Sequence, residues 1–151
     1  MLKAEIFIEI IKNTPLISVD LITKNDEGKV LLGKRVNEPA RNFWFVPGGR
    51  IFKDESLDDA FSRICQSELG VSFTREKTDF YGLYEHFYTN NVFNNDFSTH
   101  YVVLAYKVYL NNVLQVNDQH EAYQWFEVDE LLDRDDVHPY TKNYFKERLY
   151  D

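Results

Sequence analysis

The sequence has one cysteine, Cys65, one methionine, four prolines and six glycines in 151 residues. A single cysteine excludes an intrachain disulfide and points to a reducing compartment. Cys65 falls at a helical apolar position and is expected in the core. No run approaches the roughly 20 apolar residues that span a bilayer. The opening stretch, MLKAEIFIEIIKNTP, carries glutamates within its apolar part and lacks the small-residue site of a cleaved leader. A cytoplasmic protein with no membrane partner is expected. Basic excess is missing too: 17 Lys and Arg stand against 25 Asp and Glu, a formal net charge of −8. Such a chain gains nothing from the counterion release that drives general nucleic-acid binding, so no nucleic-acid partner is expected. The acidity reads first as solubility, and an anionic ligand would need locally placed cations. Repeats, linkers and low-complexity tracts are also absent. Residues 1–151 therefore read as a single domain, long enough to bury a core.

Apolar residues make up 44% and aromatics 16% of the chain, which places it among globular proteins. Residues 3–12 read as a short amphipathic helix ended by Asn13-Thr14-Pro15. LISVDLIT, from Leu16, is a strand closed by the turn KNDEG. KVLLGKR, ending at Arg35, is the second strand. FWFVPGGR is a short strand leading into a Gly-Gly turn. Ser56 is an N-cap, with Asp59 three residues on, and the helix it opens runs to Leu69 and stops at Gly70. FYGLYEHFYT and THYVVLAYKVYL are long strands joined by an Asn-rich loop. The second of these is apolar on both faces and is expected in the middle of the sheet. AYQWFEV is another strand, DELL a short helix, and residues 140–149 the last helix. Strands in mixed order with few, separated helices predict an α/β sandwich around a mixed sheet.

The stretch GGRIFKDESLDDAFSRICQSELGV, from Gly48, carries the chemistry. Advancing about 100° per residue from Leu57 puts Ala60, Phe61, Ile64 and Cys65 on one stripe, with Glu68 in its middle. A carboxylate facing a core is costly unless a cation or several donors meet it. Two readings stand: a buried ion pair with Arg63 or Arg50, or a metal ligand. The glycines ahead of the helix let backbone approach a ligand closely, and a carbonyl exposed there can bind a metal. Mg²⁺ takes hard oxygen ligands and keeps several waters, so one or two protein ligands suffice beside a substrate phosphate.

This stretch resembles a Nudix box, G-x5-E-x7-R-E-U-x-E-E-x-G-U, matching at Gly49, Glu55, Arg63, Glu68, Gly70 and Val71. Ile64 and Ser67 stand where two further glutamates belong. Segments outside the box resemble one branch of that superfamily, the GDP-mannose mannosyl hydrolases: TPLISVD, LLGKR, FWFVPGGR, HFY, FSTHYVVL and NDQH. The box of that branch lacks the same two glutamates. The resemblance implies a Nudix fold, a mixed β-sheet in an α/β/α sandwich. It also implies one Mg²⁺ per subunit, with Mn²⁺ able to replace it, and a homodimer. The implied reaction is hydrolysis of a GDP-sugar at the anomeric carbon, with inversion, to GDP and free sugar. Carried over by position, the metal ligands are the Gly49 carbonyl, Glu68 and Gln119. His120 is the general base. Arg35 and Arg50 bind the leaving diphosphate, assisted by Tyr101. Asp20 and His86 match active-site positions, and Phe7 a base-stacking one.

Charge grows on the diphosphate as the glycosidic bond breaks, so a cation and two planar guanidinium forks would act mainly on the transition state. An inverting route needs a base that activates water on the opposite face of the sugar. Each residue also has a structural reading. Arg35 could be a solvated strand end, and Arg50 could pair with Asp54 or Glu55. Asp20 could be a hydrogen-bonded acid, Tyr101 and His86 packed strand residues, and Gln119-His120 a surface turn. Glu55 is read as fixing its loop, and His100 and His138 as structural. Two other functions compete: a pyrophosphohydrolase attacking phosphorus, and a silent nucleotide-sugar binder.

Overall fold

The computed structural model describes residues 2–93, 96–111 and 120–146, with only the backbone of His120 and Glu121. The elements are α1 (Ala4–Asn13), β1 (Leu16–Lys24), β2 (Val30–Arg35), β3 (Trp44–Phe45), β4 (Gly48–Arg50), α2 (Leu57–Leu69), β5 (Asp79–Tyr88), β6 (Thr99–Tyr109), β7 (His120–Phe126), α3 (Val128–Asp133) and α4 (Pro139–Lys146). β6 is central as expected: it pairs parallel with β1 from Leu16↔Tyr101 to Lys24↔Tyr109 and antiparallel with β5 on its other side. The sheet is therefore mixed.

An apolar cluster lies on each face. On one, Val19, Leu21, Leu31 and Val108 pack under Ala60, Phe61, Ile64, Cys65 and Leu69 of α2. On the other, Ile22, Val30, Leu32, Ala105 and Phe126 pack under Leu131 of α3 and Tyr144 and Phe145 of α4. This is the expected α/β/α sandwich. Each sheet face removes its apolar side chains from water against one helical layer.

α2 follows its local signals. The Ser56 hydroxyl accepts from the Asp59 N–H at 3.1 Å, and Asp58 and Asp59 complement the positive end of the helix. Gly70 closes it in the left-handed region at φ 75°, its N–H reaching the Gln66 carbonyl. Cys65 is buried in the stripe as expected, and burial pushes its thiol up to about 12.

The Gly-Gly segment departs from expectation. It is not a turn but a strand, β4, whose residues Gly48, Gly49 and Arg50 lie opposite Asp20, Val19 and Ser18 of β1. β1 meets β2 only at Lys24↔Val30. The two strands splay, and β4 fills the gap. A β-carbon on Gly48 would sit 2.5 Å from the Val19 carbonyl oxygen and 2.6 Å from Asp20 Oδ1. Gly48→Ala is therefore expected to cost about 1–3 kcal/mol, as overpacking does elsewhere, read as a lower midpoint in denaturant unfolding.

Candidate functional site

The site forms where β1 and β2 splay, with β4 between them and α2 beneath. Glu68 is 2% exposed, and its Oε1 is 3.4 Å from the Gly48 N–H. The stripe position read from the helical wheel is thus realised. The alternative pairing with Arg63 is not: Arg63 gives Nε and Nη2 to Glu55 at 2.7 and 3.0 Å, and Nη2 also reaches the Arg50 carbonyl at 2.8 Å. Glu55 accepts from the Phe52 N–H as well, so it fixes its loop as expected. Ile64, in the first glutamate position, packs under Gly49, where a β-carbon would meet its Cγ1 at 3.1 Å. Ser67, in the second, is exposed. α2 thus turns a single carboxylate toward the β4 strand.

Asp20, on β1, is 8% exposed. Its Oδ2 accepts from the Tyr144 hydroxyl at 2.5 Å. Burial raises its pKa from 3.8 to about 7; the Tyr144 bond and the Arg35 charge oppose that rise, and Glu68 adds to it. The hydrogen-bonded acid is thus a structural fact, and it lies within the electrostatic reach of both Arg35 and Glu68.

Arg35 ends β2, with Nε bonded to the Pro39 carbonyl at 2.9 Å. Arg50 ends β4, its guanidinium over the Phe7 ring. Arg50 pairs with neither Asp54 nor Glu55: Asp54 meets Lys53, Glu55 meets Arg63, and among the described residues no ion pair engages the Arg50 side chain. Both arginines favour the charged form of the Tyr101 phenol, which burial disfavours more strongly. Tyr101 therefore stays a protonated donor within the electrostatic reach of both cations.

His86 of β5 is 4% exposed and stacked on Tyr140 at 4.3 Å and 5°. Burial, then the neighbouring His138, pulls its pKa from 6.5 to about 4, so it is neutral near pH 7. His138 is held at about 4 by burial and by Arg35. Its Nδ1 accepts from the Tyr140 N–H at 3.1 Å, which leaves the proton of the neutral ring on Nε2. From the sequence, His138 reads as structural, and Tyr140 and Tyr144 are not singled out. They come from the C-terminal segment, and no spacing rule links that segment to Asp20, Arg35 or His86.

Gln119 lies outside the described residues. His120 is placed by its backbone, directly opposite Arg35 across the β2–β7 pair, at a register shift that begins after Gly33. Among the described residues no three His, Cys, Asp or Glu side chains group to hold a metal ion. The donors at this point, the oxygens of the buried Glu68 carboxylate beside the Gly48 N–H, are hard. They suit an ion that takes few protein ligands and keeps its waters.

The profile of the NUDIX domain matches residues 14–147. The low-salt glycan biosynthesis protein Agl8 of Haloferax volcanii is 43% identical over 136 residues, 89% of this chain and 83% of that protein. A MutT protein from Methanosarcina mazei Go1 superposes with a TM-score of 0.71 at 21% identity, over 89% of this chain and 94% of that one. A MutT NUDIX hydrolase from Burkholderia pseudomallei does so with 0.70 at 25% identity, over 89% and 98%. No helix among the described residues is long and apolar enough to cross a membrane. Nudix hydrolases generally work with divalent metal ions such as Mg²⁺, which agrees with the carboxylate oxygens that α2 supplies. With the profile spanning nearly the whole chain and the sandwich shared by these structures, the chain belongs to the Nudix hydrolase family.

Proposed function

We propose that this protein is a Mg²⁺-dependent GDP-sugar hydrolase, acting on GDP-mannose or a close relative by water attack at the anomeric carbon with inversion. The observation that carries the reading is the single inward carboxylate of α2: Ile64 fills the space under Gly49 and Ser67 faces solvent, leaving Glu68 alone. Attack at phosphorus usually asks for more carboxylates, to hold extra metal and position water. A departing diphosphate asks instead for cations, and the charges of Arg35 and Arg50 both reach Tyr101. The Haloferax volcanii relative is a glycan biosynthesis protein, which is in keeping with a sugar substrate.

Mg²⁺ held by the Gly49 carbonyl, Glu68 and Gln119 would supply the charge that lets the diphosphate leave. Arg35 and Arg50 bind the diphosphate oxygens through their planar forks, and the Tyr101 hydroxyl donates to the same group. His120 takes a proton from water as the water oxygen bonds to the anomeric carbon. The bond from that carbon to the diphosphate oxygen breaks, and GDP departs as an anion. The protein works as a homodimer in this reading.

Hydrolysis of GDP-mannose in H₂¹⁸O with Mg²⁺ tests the proposal. The label is expected in the free sugar, released with inverted anomeric configuration. Label in a phosphate product would assign the protein to phosphorus attack. Binding without turnover would make it a silent nucleotide-sugar binder.

A further inference from the structure

Arg50 differs from the other arginines around the site. Arg35 spends Nε on the Pro39 carbonyl, and Arg63 spends Nε and Nη2 on Glu55 and the Arg50 carbonyl. Among the described residues no hydrogen bond or ion pair occupies the Arg50 side chain. Aromatic faces hold it instead. Its guanidinium carbon lies 4.5 Å from the centre of the Phe7 ring and 5.1 Å from that of Phe52. Phe52 is itself anchored, with Arg63 3.9 Å from its ring centre and its N–H on Glu55. Phe7 meets the edge of Phe93 at 6.0 Å. A continuous stack, Phe93–Phe7–Arg50–Phe52–Arg63, thus joins α1 to β4 and α2.

Stacking uses the faces of a guanidinium and leaves its in-plane N–H groups free, which are the groups that meet phosphate oxygens. It also restricts a long side chain that would otherwise lose its rotamer freedom on binding. Within α1, Ile11 is buried and Phe7, Ile8 and Ile10 are half-buried.

We infer that Phe7 is a positioning residue of the anion site: from α1 its ring fixes the Arg50 guanidinium edge-on to the diphosphate. This rests on Arg50 as a diphosphate ligand and deepens that role. The role is distinct from base stacking, because the ring acts through Arg50 of its own chain.

The test uses inorganic pyrophosphate with Mg²⁺, a ligand with no base and no sugar, measured by calorimetry on the full chain. Phe7→Ala is expected to weaken pyrophosphate binding about fivefold, the scale of one cation–π contact. Phe7→Leu, which keeps apolar packing without a ring, should show the same loss, and Phe7→Tyr should restore binding. In an Arg50→Lys background, which keeps the charge but not the planar stack, Phe7→Leu should add little. An equal loss in both backgrounds would overturn the inference. So would pyrophosphate binding that is unchanged in Phe7→Leu while GDP binding falls, which would make the ring a base platform, or a wild-type protein that does not bind pyrophosphate. The ¹⁸O experiment reads the site of attack independently, so either reading can fail without the other.

Discussion

His120→Gln is expected to lower kcat by about 10²–10⁴-fold, the usual contribution of a positioned base, while GDP binding persists. The argument is one of placement. His120 lies opposite Arg35 in the β2–β7 pair, so its chain position borders the cation assigned to the leaving diphosphate. The register shift from Gly33↔Tyr123 to Arg35↔His120 is a bulge-like irregularity, and such features often re-aim a side chain beside an active site. The two histidines with described side chains at the site are poor bases: burial holds both His86 and His138 at about 4. Steady-state turnover of GDP-mannose beside calorimetric titration with GDP checks the result. Undiminished turnover would remove His120 from the role of base.

Asp20→Asn is expected to stabilise the metal-free protein by about 4 kcal/mol at pH 8, and by progressively less as pH falls toward 4. The folded carboxyl keeps its proton up to about pH 7 against an ordinary value of 3.8. Between those values the folded state binds more protons than the unfolded one, so stability falls as pH rises through the window and levels off above it. Asparagine cannot ionise, and its carbonyl can still accept from the Tyr144 hydroxyl. His86 and His138 add a slope of opposite sign, gaining stability as pH rises from about 4 to 6.5. That slope is common to both proteins and drops out of the difference. Denaturant unfolding with a chelator present, at pH 5 and pH 8, measures the gain. An equal or negative change at pH 8 would show that the Asp20 carboxylate is not costly in the fold. Keeping a costly acid in place is what a site residue does when function outweighs stability.

The parts of this fold legible in the sequence are those whose causes are local. Ser56, the stripe from Ala60 to Glu68, and Gly70 define α2 within fifteen or so residues, and both boundaries and the buried face follow from capping and period. β6 reads as central because it is apolar on both faces. The glycine pair misleads because glycine marks turns in general. Here the reason for Gly48 is the backbone of β1, a partner distant in sequence, and only the register shows it. Glu68 is legible as an anomaly, a carboxylate in an apolar stripe. Its surroundings are not: Arg63 is a reasonable partner by spacing, and it is the closer geometry of Glu55 that claims it. Tyr144 on Asp20, and Tyr140 and His138 beside His86, carry no signal, since the large apolar area of an aromatic side chain makes packing its common role.

The parallel pairing of residues 16–24 with 101–109 also constrains the order of events as the chain folds. The central strands cannot meet until nearly three quarters of the chain has been made, and closing so long a segment is slow compared with forming α2. Asp20 then waits longer still, because the hydroxyl that meets it belongs to Tyr144. A chain released before α4 would carry every strand of the sheet and still present a buried acid without its donor. The acid is therefore met only after the last strand is in place, when α4 docks on the sheet.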